Sequence, residues 1–184
     1  MKLGRLNHIG VAVPSMQGAI AYYRDVMGAS LVTEPFDMPE QGVKVAFVST
    51  PQVGGALGTD GGTQIELIEA IPLPDGSASP IAGFIAKNPA GGQHHLCYEV
   101  EDIETAREWF TAQGKRILGP TRIGAHGTPV FFLHPRDMAR INDAIDKVQK
   151  SLQEAAAAAT FNQRIRLSLD SLPVCVTVSN AEAL

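Results

Sequence analysis

At 184 residues, with 45% hydrophobic and 18% charged residues, the chain has the composition of one globular domain, or of two small modules sharing a core. A net charge of −4 and a pI near 5.7 leave no basic face for nucleic acid, so an anionic ligand must be met by local lysines, arginines or backbone amides. Two cysteines are too few for a disulfide framework, no apolar run reaches the roughly 18 residues that span a bilayer, and the N-terminus lacks the apolar core of a signal peptide, so a cytoplasmic protein that binds no membrane is expected.

In chain order, Leu6 to Val13 reads as an apolar strand, broken by Pro14. Ser15 is placed to cap a helix over Met16 to Met27, whose apolar residues recur at Met16, Ile20, Tyr23 and Met27, and Gly28 ends it. Leu31 to Thr33 reads as a second strand, Pro35 to Gln41 as a polar turn and Val43 to Ser49 as a third strand. The stretch from Pro51 to Gly62 reads as a glycine-rich loop. Thr63 to Ala70 is a fourth strand, with Gln64, Glu66 and Ile68 on one face and Ile65, Leu67 and Glu69 on the other. A connector rich in Pro, Gly and Ser follows from Ile71 to Ala90, with a short helical piece at Ile81 to Ile85.

The pattern then restarts. Gln93 to Val100 is a strand, Ile103 to Gln113 a helix ended by Gly114, Arg116 to Leu118 a strand, Arg122 to Gly127 a loop, and Pro129 to Leu133 an apolar strand. Laying His8 on His95 also lays Val13 on Val100, Met16 on Ile103 and Ala19 on Ala106. The fold expected is α+β: paired βαβββ modules, about 5–70 and 91–138, forming a cup-shaped mixed sheet. Composition changes at Met138. Ala139 to Ala159 reads as helix, and Arg164 to Leu169 and Val174 to Val178 as β segments or tail, so residues 139–184 form an atypical C-terminal helix and tail. On this reading the second module lacks its last strand.

Chemistry concentrates in a few residues. His8 and His95 open the two units, and Glu66 lies on the last strand of the first. Pseudo-symmetric units bring their first strands side by side, which sets His8 near His95. An imidazole and carboxylate set suits a divalent cation such as Zn, Mn, Co or Ni. Of His94 and His95, adjacent on the strand, one can point into a core or cavity while the other points away. Cys97 reads as a small core residue. The turn Gly124-Ala125-His126-Gly127 is either a plain hairpin or a clamp whose backbone amides receive a carboxylate or phosphate.

The stretches LNHIGVAV, SPIAGFIAKNPAGGQHHLCYEVEDI and IGAHGTPVFFLHPRD resemble the methylmalonyl-CoA epimerases of the vicinal oxygen chelate (glyoxalase-like) superfamily, over about Leu3 to Met138. The resemblance implies a cup around one divalent metal (Co, Mn, Ni, Zn or Mg), held by His8, Glu66 and His95 with His94 facing away, in a homodimer. It implies an acyl-CoA thioester substrate, epimerised between its thioester carbonyl and its carboxylate, with Glu66 as the catalytic carboxylate. Ser79, Gly124, Ala125, His126 and Gly127 then line the acyl-CoA site. The chain departs from the family at one place: where a glutamate ligand is expected on the strand after the HPRD-type turn, it reads MARINDAIDKV. That loss predicts weak metal binding and activity below the family norm. A non-catalytic ligand-binding member of the fold and a glyoxalase-type lyase are the alternatives.

Overall fold

The computed structural model describes residues 1–49, 62–138 and 174–178. The expected helix over Ala139 to Ala159, the β segment Arg164 to Leu169 and nearly all of the glycine-rich loop lie outside the described residues.

The described strands are β1 (Leu6–Ala12), β2 (Phe36–Met38), β3 (Val43–Ser49), β4 (Gln64–Ala70), β5 (Gly92–Val100), β6 (Ile117–Ile123), β7 (Pro129–Leu133) and β8 (Val174–Val178). They form one sheet in the order β2-β3-β4-β1-β5-β8-β7-β6. β1 runs parallel to β4, β5 runs parallel to β8, and β1 and β5 meet antiparallel at the centre. The two halves of the sheet therefore mirror each other, as the internal repeat requires.

Alternation along the strands sorts side chains to two faces. On the outer face, α1 (Met16–Ala21) sets Met16 against Val13, Ala46, Val48 and Leu67, while α3 (Ile103–Ala112) sets Ile103 and Ala106 against Val100, Phe131 and Leu133. On the inner face, Val45, Phe47 and Ile68 pack with Phe84 and Ile85 of α2 (Ala82–Lys87). Both long-range helices start where the repeat puts them. The Ser15 hydroxyl accepts from Gly18 N–H (3.2 Å), and the Asp102 carboxylate accepts from Thr105 N–H (2.7 Å).

Several boundaries differ from expectation. The first helix changes at Tyr22 to a π-helical turn, Tyr22–Val26, in which Met27 N–H donates to the Tyr22 carbonyl at 3.1 Å. The wider turn keeps Ile20 and Tyr23 on the core and leaves Tyr22, Val26 and Met27 exposed. The strand expected at Leu31 to Thr33 is a single bridge, Val32 to Val48. Pro35 has no N–H to give a ladder, so pairing with β3 resumes beyond it as β2, where a polar turn was expected. β6 extends past Leu118 because Gly119 and Pro120 are taken up in a register shift between Leu118 and Arg122. The last difference concerns the far end of the sheet. The expectation leaves the second module without a last strand, yet the place between β5 and β7 is filled by β8. VCVTV is apolar and β-branched, which suits a strand paired on both sides.

Candidate metal centre

β1 and β5 are hydrogen-bonded neighbours, and that adjacency brings His8 and His95 together. The pairing is irregular at two points. Between Leu6 and His8 the partner advances one residue, from Tyr98 to Cys97, so Asn7 is the extra residue of a bulge. Between Gly10 and Val11 the partner jumps from His95 to Gln93, so His94 is extra on β5. Each bulge thus immediately precedes one of the two candidate ligand histidines. Gly10 stands opposite His95, and a Cβ there would overlap the imidazole ring. Only glycine lets His95 lie across β1 toward His8.

His8 Nε2 and His95 Nε2 lie 3.2 Å apart. Glu66 Oε2, arriving on β4 from the other side of β1, lies 3.5 Å from the first and 3.3 Å from the second. All three residues are buried, with exposures of 4 to 7%. Ligands bonded at about 2.1 Å to one ion stand roughly 3.0 to 3.4 Å apart in octahedral to tetrahedral geometry, so this triangle has the edge length of one metal face. Two imidazole nitrogens and a carboxylate oxygen crowded on one buried point, away from water, also call for positive charge between them. The residues fit a divalent cation of N/O preference.

The electrostatics agree. Burial alone would raise the Glu66 pKa, but the hydrogen bond from His95 and the charges of His8, His95 and His126 outweigh it, and the carboxyl is held below its ordinary value. For His8, burial acts to lower the pKa, while the hydrogen bond with Cys97 and the Glu66 charge raise it, with a net upward shift.

Above the triangle opens a cavity of about 500 Å³. Its walls are apolar, with Val43, Val45 and Ile68 from one module and Val130 and Phe132 from the other. Gly124, Ala125 and His126 line it; Gly127 holds the turn with φ +76°, its N–H donating to the Gly124 carbonyl at 2.9 Å. His126 stacks on Phe47 with ring centroids 4.1 Å apart, and its Nε2 is buried without a hydrogen-bond partner. Burial first, and then the neighbouring His8, depress the His126 pKa. Ser79 is buried, but its hydroxyl accepts from Ile81 N–H (3.3 Å), and the residues that reach the cavity there are Pro80 and Ile81.

His94 does not face away. The bulge releases it from strict alternation, and it lines the cavity, edge-on to Phe84, with Nδ1 3.0 Å from His95 Nδ1. Burial and the adjacent His95 push its pKa down to about 4, so it is a neutral imidazole. Sequence reading passed over Arg122 and Thr128, which line the cavity, and Asn7 and Gly10, which shape it. Gly10, two residues past His8 in NHIG, was the available signal.

The second module has no carboxylate at the matching place. Glu66 on β4 pairs with Gly10, two residues after His8; on β8 the residue that pairs with Cys97, two residues after His95, is Cys175. Thr177, two residues further, is buried and lines the cavity, its hydroxyl shared with Thr128 at 2.8 Å.

A family model described as the glyoxalase/bleomycin resistance protein/dioxygenase superfamily matches residues 7–132. The chain belongs to that superfamily. It is 50% identical over 137 residues to an ethylmalonyl-CoA/methylmalonyl-CoA epimerase of Cereibacter sphaeroides, covering 73% of this chain and 91% of that protein. It is 45% identical over 136 residues to the mitochondrial methylmalonyl-CoA epimerase of Homo sapiens, covering 73% of this chain and 69% of that one. A Streptomyces coelicolor methylmalonyl-CoA epimerase solved with 2-nitronate-propionyl-CoA is similar in fold. The TM-score is 0.68 at 22% identity, over 98% of this chain and 100% of that chain. As a member of the superfamily the chain keeps the paired modules, with His8 and His95 on the two central strands.

Proposed function

We propose that this chain epimerises a 2-methylmalonyl thioester of CoA by moving the proton on the carbon between the thioester and carboxylate carbonyls. The observation that carries the reading is the convergence of His8, His95 and Glu66 at the base of one cavity, in a chain half identical to a named epimerase. A divalent cation held by His8, Glu66 and His95 would act as a Lewis acid and make that C–H acidic. The residues supply the rest. Glu66 is the one carboxylate among the described residues lining the cavity, so it is the group that takes the proton; its lowered pKa keeps it ionised but makes it a weak base. Val43, Val45, Ile68, Val130 and Phe132 exclude water from the acyl group. The unpartnered His126 Nε2 is placed to hydrogen-bond a substrate oxygen, and Arg122 at the lip meets the anionic part of an acyl-CoA. With one carboxylate where two are expected, turnover is low. A homodimer and a cytoplasmic setting belong to the same proposal.

Proton exchange decides between catalysis and binding. Incubated with methylmalonyl-CoA in deuterated water, the full-length chain loaded with Co²⁺ should incorporate deuterium at the α-carbon. Saturable binding of the thioester with no exchange would instead mark a ligand-binding member of the superfamily.

A further inference from the structure

The two bulges that precede the ligand histidines carry side chains whose role the reaction does not itself explain. Asn7 Oδ1 lies 2.8 Å from His8 Nδ1, and His94 Nδ1 lies 3.0 Å from His95 Nδ1. In both modules the extra residue of the bulge therefore turns back on the Nδ1 edge of the histidine that follows it. The Nε2 atoms of the same two rings face each other and Glu66.

On the β1 side the proton positions follow from neighbours. Glu99 is buried, and its Oε1 is paired with the Arg5 guanidinium at 2.8 Å. An ionised carboxylate only accepts hydrogen bonds, so the Asn7 group 2.8 Å from Glu99 Oε1 is the amide Nδ2, which donates. That fixes the amide the other way round at His8, where Oδ1 only accepts. His8 Nδ1 must then carry the proton, and Nε2 presents its lone pair to Glu66 and His95. The line from Arg5 through Glu99 and Asn7 to His8 thus sets the tautomer a metal ligand needs.

We propose that Asn7 and His94 are positioning residues for the metal centre, each holding the Nδ1 edge of the adjacent histidine so that Nε2 is free to bind a cation, with Glu99 orienting Asn7. The inference rests on the reading of His8, Glu66 and His95 as the metal ligands. Its consequence is that the two modules solve one problem with different chemistry, an amide in the first and an imidazole in the second.

The first test uses the metal-free full-length protein, so it stands whether or not the chain turns over. Nitrogen-15 NMR of the imidazoles in alkaline buffer should show His8 protonated on Nδ1 in the wild type, and a mixture of tautomers in Asn7→Leu and Glu99→Gln. A wild-type His8 protonated on Nε2 would overturn the proposal. The second test titrates the apo protein with Co²⁺ alone. Asn7→Leu and His94→Leu should each weaken binding about 10- to 100-fold, the usual cost of losing a group that orients a ligand. His94→Asn, which brings the first module's solution to the second, should recover most of that loss. Folded leucine variants with wild-type Co²⁺ affinity, or a His94→Asn variant as weak as His94→Leu, would also overturn it. Should the wild type bind no Co²⁺ while the tautomer is as stated, the ligand reading fails and, with it, the positioning role.

Discussion

One oxygen of Glu66 serves both histidines, which makes this residue the most economical test of the centre. Glu66→Ala should purify without stoichiometric divalent metal and lose deuterium exchange, while the fold persists because Leu67 and Ile68 still carry the packing of β4. Elemental analysis of the purified variant checks this, and retained metal would remove Glu66 from the ligand set. Gly10→Ala should act on the opposite ligand by pushing the His95 ring off its place over β1, again read as lost Co²⁺ binding. A third residue bears on pH. Asp137 accepts from Arg116 Nη2 at 2.8 Å and from Arg116 N–H at 2.7 Å, bonds that hold its pKa down to about 2. A depressed carboxylate contributes stability above its unfolded pKa and loses it as pH falls through the folded value. The stability gap between wild type and Asp137→Asn should be full above roughly pH 4 and close on acidification toward the folded value, measured by urea unfolding across that range. At this scale the sequence was informative about residue type. His8 and His95 stood out because they open the two repeated units, and Glu66 because it is a carboxylate on the last strand of the first unit. Ser79 was not, because a hydroxyl that caps a local turn looks the same in sequence as one that faces a ligand.

Elements were legible where their signals are local. The two helix starts at Met16 and Ile103 follow from Ser15 and Asp102 and from the period of the apolar residues. Ser15→Ala should cost about 1 kcal/mol, read as a lower denaturant midpoint with unchanged slope. Strand edges were less legible. Pro35 and Pro120 redirect pairing in ways that depend on the partner strand, so β2 and β6 fall outside their expected bounds. β8 gives the element-scale test of the missing carboxylate. Cys175 has the register that Glu66 has in the first module, so Cys175→Glu should tighten Co²⁺ binding and speed deuterium exchange. Titration and exchange measured on the same preparation check both at once.

The whole molecule depends on closure of the sheet around the cavity. β8 lies between β5 and β7 and joins the central strands to the outer pair of the second half. Deleting residues 139–184 should therefore leave β5 and β7 without a common neighbour and lower the thermal midpoint, with broadened unfolding, whatever happens to activity. The sequence by itself determined the duplicated unit, the α+β class and the residue types of the candidate metal centre, because periodicity, capping and side-chain chemistry are properties of short stretches. Tertiary structure decided that His94 and His95 both reach the cavity, that Asn7 turns back on His8, and which distant segment completes the sheet. A bulge belongs to the register between two strands, and the occupant of a sheet position is chosen by what can pair on both sides, so neither can be read from one segment alone.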